Sequence, residues 1–385
     1  MSTSLQRLPV TVVTGFLGAG KTTLLRHLLL HSGQRLAVLV NEFGDVGIDG
    51  DLIAGCGFCP EEERADRLVE LTNGCLCCTV QEDFLPTMET LLERRDSLDG
   101  IVVETSGLAL PAPLVAAFGW PSIRPRVRVQ AVVTVVDGEA LAAGHVVGDA
   151  EAVEAQRRAD PSLDHLSALE ELFEDQLQAA DLVLLSRADR LAPEAVSALV
   201  GSLQSRVRPG TSLLPMARGG IDPALVLDSS SLQAELRAQV PEGRIGDHDH
   251  DHRDDHHQGD EHHDHSHAHD HSHAHDHGDS HDHSHAAIAS VVLQRKGHWE
   301  REPLESWLRQ LIREQPILRL KGRLHQNGRN LPLQIQAVGP RLECWYERDG
   351  ATAGDTPSLE LVVLAPASQE QALRDWLAAT LPPAV

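Results

Sequence analysis

The chain has 385 residues, a formal net charge of −24 and 41% hydrophobic residues, with aromatics scarce at 3%. Such a length accommodates two or three domains, and the acidic balance argues against a nucleic-acid backbone or an anionic membrane surface as partner. Residues 1–9 are polar rather than signal-like and no apolar run is long enough to span a membrane, so the cytoplasm is the expected location.

The first element is a β-branched apolar run at 10–14, read as a buried strand. It leads into Gly15-Phe16-Leu17-Gly18-Ala19-Gly20-Lys21-Thr22-Thr23 and then into a segment of helical composition at 21–31. Strand, glycine-rich turn, Lys-Thr and helix form a P-loop in its required context. The backbone N–H groups of Gly15, Gly18, Ala19 and Gly20 are expected to converge on phosphate oxygens, helped by the helix N-terminus. Lys21 is the expected catalytic cation on the β- and γ-phosphates, with the Thr22 hydroxyl on Mg2+ and Thr23 completing the motif.

A second strand at 36–41 runs into Asn41-Glu42-Phe43-Gly44-Asp45-Val46-Gly47-Ile48-Asp49. Acids just past the second strand of a P-loop domain lie where a nucleotide-sensing switch sits. Glu42 and Asp49 are candidates to ligate Mg2+, to position water or to ligate a second metal, against a plainer reading as solvated acids of a glycine-rich loop. Cys56-Gly57-Phe58-Cys59 follows, a single CxxC that fits a redox pair, half a zinc site or an auxiliary entry site for a metal. Next comes Gly74-Cys75-Leu76-Cys77-Cys78. Three thiols in four residues favour Zn2+ or another late divalent ion, with a fourth ligand drawn from Glu42 or a histidine. The plainer alternative is a reduced thiol cluster or redox pair.

A helix at 82–95 and a strand at 101–104 end in Glu104-Thr105-Ser106-Gly107. Glu104 is placed for a Walker B role on Mg2+ or its water, although Asp is usual there, and Gly107 for a backbone approach to the γ-phosphate. Further strands are expected at 131–136, 182–186 and 212–215, with helices at 165–180 and 193–206. Ser186-Arg187-Ala188-Asp189 stands where GTP-binding proteins of this class carry Asn-Lys-x-Asp. Asp189 is expected to accept from the guanine N1 and N2 groups, and Arg187 to lie over the base by cation–π stacking. Ser186 shortens or loses one base contact, and Asp189 as an N-cap of the next helix is the alternative. The alternation as a whole predicts a doubly wound α/β domain with a mainly parallel sheet and its ligand at the carboxyl ends of the strands.

Residues 247–285 are dominated by His and Asp and hold 17 of the 23 histidines. Lacking apolar residues to bury, they are expected to be disordered without a ligand. Their imidazoles suit auxiliary binding of borderline metals, with His248, His250, His252, His262, His265, His267, His269, His271, His273, His275 and His277 as the candidate ligands. Beyond them, strands are expected at 288–294, 317–322, 331–338, 341–346 and 359–364, and helices at 303–314 and 369–380. This is the pattern of a small α+β domain with an antiparallel sheet and helices on one face. Cys344 reads there as a packed thiol.

The set of motifs at 15–23, 41–49, 75–78, 104–107 and 186–189 resembles the CobW family of P-loop metallochaperone GTPases, most specifically at Gly74-Cys75-Leu76-Cys77-Cys78. The resemblance extends over nearly the whole chain, including residues 176–181, the His-rich linker and a C-terminal domain of the CobW type. Cys56 and Cys59 are similar to the cobalamin-associated subgroup. It implies a P-loop GTPase domain at 1–230, a metal-binding linker at 231–286 and a CobW-type domain at 287–385. It further implies GTP and Mg2+ as cofactors, Zn2+ or Co2+ as cargo, and a metal-recipient protein as partner, a cobaltochelatase if the cargo is cobalt. GTP–Mg2+ binding would then shape the thiolate site and hydrolysis would permit transfer. A metal-storage protein with a regulatory P-loop is the competing reading; a small-molecule kinase accounts for neither the thiols nor the histidines.

Overall fold

The computed structural model describes residues 7–40, 68–70, 84–159, 169–228, 287–346 and 356–384. The N-terminal part runs β1 (Leu8–Thr14), α1 (Lys21–His31), β2 (Leu36–Val40), β3 (Leu68–Glu70), α2 (Leu85–Glu93), β4 (Gly100–Glu104), α3 (Pro111–Ala117) and β5 (Val127–Asp137). It continues with α4 (Gly138–Ala142), α5 (Ala150–Ala159), α6 (Leu169–Ala179), β6 (Leu182–Ser186), α7 (Pro193–Gln204), β7 (Ser212–Pro215) and α8 (Pro223–Val226). The C-terminal part holds β8 (Ile288–Lys296), α9 (Arg301–Glu314), β9 (Arg319–His325), β10 (Leu333–Val338), β11 (Arg341–Tyr346), β12 (Ser358–Pro366) and α10 (Glu370–Thr380).

The first seven strands form one sheet in the order β3-β2-β4-β1-β5-β6-β7, and every described pairing in it is parallel. All eleven residues of β5 are buried, as expected of a central strand covered on both faces. One face packs Val13, Val102, Val133 and Leu184 against Leu24, Leu25 and Leu28 of α1. The other packs Val10, Val12, Ile101 and Val103 against α2 and α3, and Val183 and Leu185 against α6. The layers are those of the doubly wound α/β domain expected from the sequence.

The second sheet is antiparallel, in the order β11-β10-β9-β12-β8. Strand alternation divides its residues cleanly. Leu359, Leu361 and Val363 of β12 pack with Leu304, Leu308 and Leu311 of α9 and Leu373 and Leu377 of α10. Val362 and Leu364, with Leu318 and Val338, pack instead into the core that α1 shares with the first sheet. The helices thus lie on one face, and the other face is closed by the N-terminal part.

Two carboxylates anchor that closure. Asp228 faces Arg128 from β5 and Arg319 and Lys321 from β9, and accepts from Gln336 Nε2 at 3.1 Å. Asp181, fully buried, accepts from the Val132 N–H at 2.8 Å, Arg208 at 2.8 Å and Arg341 at 2.5 Å. Among the described residues no helix is long and apolar enough to cross a membrane.

Short elements escaped the sequence reading. α3 opens on Pro111-Ala112-Pro113, which reads as a breaker although Pro is at home in a first helical turn. The three-residue β3 is too short for an apolar period. Within the described residues the expected helix at 82–95 ends at Glu93 as α2 and that at 165–180 ends at Ala179 as α6, residues 82–83 and 165–168 lying outside them, while the expected strand at 131–136 starts four residues earlier as β5.

Candidate functional site

The carboxyl edge of the parallel sheet gathers most of the chemistry expected within the described residues. β1 ends in Thr14 and turns at Gly15, whose φ is +134° and whose missing side chain leaves room for the Val135 carbonyl; a Cβ there would lie 2.1 Å from that oxygen. The loop returns to α1 through Gly20, and Leu24 N–H donates to Gly20 O at 3.0 Å. The first residues of α1 are therefore Lys21 and Thr22.

Lys21 is only 7% exposed and donates to the Phe16 carbonyl at 3.2 Å. Its Nζ also lies 3.9 Å from Glu104 Oε1. Thr22 Oγ1 donates to the same Glu104 oxygen at 3.3 Å. Glu104 ends β4 and is itself 5% exposed. The parallel pairing of β1 with β4 brings it there by setting Val13 level with Glu104. The segment after Glu104 is bound to the P-loop: Thr105 N–H donates to Val13 O at 2.9 Å and Thr105 Oγ1 to Thr14 Oγ1 at 2.9 Å. Gly107 approaches so closely that a Cβ would lie 2.6 Å from Leu17 N. Gln176, wholly buried in α6, donates to the carbonyls of Gly107 and Ala109 at 3.3 and 3.4 Å. It thus supports this loop from the segment at 176–181.

β6 delivers the third loop. Ser186 Oγ donates to Val136 O at 3.1 Å and sits beneath Gly20, with 3.6 Å from Ser186 Cβ to where a Gly20 Cβ would stand. Arg187 adopts φ 55° and sends its guanidinium to Asp137 and to the Gly18 carbonyl, the latter at 2.9 Å. That differs from the expected stacking over a base. The charge is held by Asp137 and the P-loop, and only the methylene stem remains to flank a ligand. Asp189 does not cap α7, whose N-cap is Ala192 without a side-chain cap. Its carboxylate faces Arg218 at 3.9 Å instead.

Asp137 and Arg218 were not singled out from the sequence. Asp137 is 4% exposed and also caps α4 by accepting from Glu139 and Ala140 N–H groups at 3.0 and 3.2 Å. An acid directly after the mainly apolar stretch at 131–136 was its available signal. Arg218, in the turn after β7, gave none.

Glu42, Asp49, Cys56, Cys59, Cys75, Cys77 and Cys78, and the histidines of 247–285, lie outside the described residues. Among the described residues no three His, Cys, Asp or Glu side chains are grouped to hold a metal ion. The strands that lead into two of these segments end beside the P-loop: Val40 is level with both Glu70 and Glu104. Cys344 lies on β11, half-buried, and burial together with nearby Glu305 pushes its thiol up to about 12, which is the state of an inert packed thiol.

Comparison with known proteins places these features in a family. Residues 9–215 match the model described as CobW/HypB/UreG, nucleotide-binding domain, and residues 288–381 match the cobalamin synthesis protein cobW C-terminal domain. The chain is 44% identical over 380 residues to a protein of Pseudomonas aeruginosa named zinc chaperone CobW, covering 98% of this chain and 92% of that one. It is 40% identical over 365 residues to the zinc chaperone CobW of Sinorhizobium sp, covering 93% and 92%. Over 138 residues, 35% of this chain and 33% of the other, it is 42% identical to the zinc-regulated GTPase metalloprotein activator 1 of Schizosaccharomyces pombe. With the first sheet and its P-loop inside one family model and the antiparallel domain inside the other, the chain belongs to the CobW/HypB/UreG family.

Proposed function

We propose that this protein is a GTPase that carries Zn2+, taking the ion onto a thiolate site when GTP is bound and yielding it to a recipient protein after hydrolysis. The observation that carries the reading is the level at which three neighbouring strands end. Glu104 contacts Thr22, while its register neighbours Val40 and Glu70 lead into the segments bearing Glu42 and the Cys75-Cys77-Cys78 trio. The few residues from Val40 to Glu42 and from Glu70 to Cys75 support coupling between a metal on those thiolates and the nucleotide.

Lys21 exchanges the Phe16 carbonyl and the Glu104 carboxylate for β- and γ-phosphate oxygens. Thr22 Oγ1 and Glu104 Oε1 are hard oxygen donors 3.3 Å apart, and they suit Mg2+. Bound there, Mg2+ would supply charge neutralisation on the β- and γ-phosphates. Gln176 and Gly107 keep the Glu104 loop against the P-loop. Asp189 accepts from guanine N1 and N2, while Ser186, committed to the Val136 carbonyl, adds no base contact. Glu42 positions the attacking water or completes the cargo site, and Asp49 supports Mg2+.

Zn2+ is the cargo we assign. The relatives that match over nearly the full chain are named zinc chaperones, and Zn2+ outranks Co2+ at most thiolate sites. Co2+ delivery for cobalamin synthesis is the second reading, favoured by the name of the C-terminal family model. In either case the histidines of 247–285 act as a weak reservoir within a linker at 231–286, between a GTPase domain at 1–230 and a CobW-type domain at 287–385. The cytoplasm is the compartment we assign.

The test is a competitive titration of Zn2+ against Co2+, run with GDP and with a non-hydrolysable GTP analogue. Coupling between sites is typically about 1–3 kcal/mol and reciprocal, so metal should bind roughly five- to 150-fold tighter with the analogue. Equal affinities in the two nucleotide states would move the reading to passive metal storage.

A further inference from the structure

Two non-glycine residues among those described have a positive φ, and both are arginines beside Asp189: Arg187 at 55° and Arg218 at 50°. Arg187 is accounted for by Asp137 and Gly18. Arg218 is not. It is followed by Gly219 at φ 77°, between Ala217 and Gly220, which form a bridge with Gly220 N–H donating to Ala217 O at 2.7 Å. Two successive positive φ values make a tight turn whose first central position ordinarily takes Asn, Asp or Gly. An L-side chain as large as Arg is strained there.

The turn is fixed on two sides. A Cβ on Gly219 would meet Thr23 O at 2.9 Å, so the turn lies on the first turn of α1. Met216 N–H donates to Leu185 O at 2.8 Å and Ala188 N–H to Met216 O at 3.3 Å, so it is also laced to the loop of Asp189. The Arg218 side chain is 88% exposed, and its ionic partner is Asp189 at 3.9 Å. An exposed pair at that distance contributes little to stability. Strain that stability does not explain is characteristic of ligand sites.

We propose that Arg218 is the cation that covers the guanine face, and so sets base affinity where Arg187 cannot. The inference rests on reading Asp189 as the guanine acceptor. A base edge bonded to Asp189 lies beside the Arg218 guanidinium, within the range of cation–π contact, and Arg218 leaves the carboxylate for the ring as the base arrives.

The experiment compares the full-length wild type, Arg218→Asn and Arg218→Lys by calorimetric binding of GDP, IDP, ADP and inorganic pyrophosphate, with melting of the nucleotide-free proteins. An exposed cation–π contact predicts roughly threefold weaker GDP binding by Arg218→Asn. IDP should lose the same factor, because it retains the ring face while lacking the N2 group. Pyrophosphate should be unaffected, and Arg218→Lys should stay within about twofold of wild type. Relief of the positive φ should raise the melting temperature of Arg218→Asn by about 2 °C. Unchanged GDP affinity would overturn the proposal, and tighter GDP binding would recast Arg218 as a competitor for Asp189. An equal loss for pyrophosphate would also overturn it, by assigning Arg218 to the phosphates. Equal ADP and GDP affinity in the wild type would instead defeat the guanine reading, and this inference with it.

Discussion

Asp228 is where removal of one oxygen's charge should do most damage to the fold. Three cations face it, with side-chain exposures of 2% for Arg128, 1% for Arg319 and 5% for Lys321. Burial pushes Asp228 up, but Lys321, Arg128 and Arg319 together override it and hold the carboxyl below the usual range. Burial lowers Arg319 to about 10 and Lys321 to about 8, against the pull of Asp228. Asp228→Asn keeps the shape and leaves three cations without an anion. Breaking a buried ionic cluster from one side costs about 3–5 kcal/mol, which is on the order of 10 °C in melting temperature for domains of this size. Lys321→Met should be neutral or stabilising at pH 7, because it removes part of the excess positive charge. The pH dependence separates the two groups. Lys321 binds its proton up to 10.5 when unfolded but only to about 8 when folded, so folding expels a proton between those values. Stability from this group therefore rises with pH across that window, and the rise should vanish in Lys321→Met. The Asp228 contribution is present above the ordinary carboxylate range and is lost only in stronger acid. Thermal melts of the full chain between pH 6 and pH 10.5 measure the Asp228→Asn loss and the Lys321 window, and a second series below about pH 4 measures the loss of the Asp228 contribution. Asp228→Asn melting within about 2 °C of wild type, or an alkaline rise persisting in Lys321→Met, would refute the assignment of a dry, net-positive cluster.

Lys21→Ala should lower GTP turnover by roughly a hundredfold or more, with little change in melting temperature; steady-state phosphate release measures the first and a melt the second. Asp189→Asn should reduce the preference for GTP over ATP by roughly tenfold or more while leaving metal affinity unchanged, as read by competitive nucleotide binding and a zinc titration. Gly107→Ala forces a Cβ to 2.6 Å from Leu17 N, so the P-loop must shift. We expect about 1–3 kcal/mol of destabilisation together with weaker GDP binding, and a variant with wild-type GDP affinity would contradict the close approach.

Much of the candidate site was legible because its chemistry is consecutive. Gly15 to Thr23 states a phosphate loop in nine residues; the Cys75-Leu76-Cys77-Cys78 run reads as a soft-metal site in the same consecutive way, but it lies outside the described residues and stays a proposal. The core strands were legible for a related reason: a parallel strand buried on both faces is mostly apolar, as β5 is from Ala131 to Val136 with Thr134 the one exception. The positions of Glu104 and Asp189 at strand ends followed from the same runs.

What the sequence alone left open depends on which surfaces meet. Lys321 and Arg319 alternate with Leu318, Leu320 and Gly322, a pattern that reads as a solvated face of an edge sheet. Both are buried, because the face they occupy is covered by the N-terminal part of the chain and not by water. Arg187 reads as a base-stacking cation, yet its partners Asp137 and Gly18 lie 50 and 169 positions away and claim its charge first. Asp181 likewise finds Arg341 across 160 positions. A local period fixes which residues need burial or a partner. Only the packing of one sheet on another decides which charge is buried, and which carboxylate compensates it.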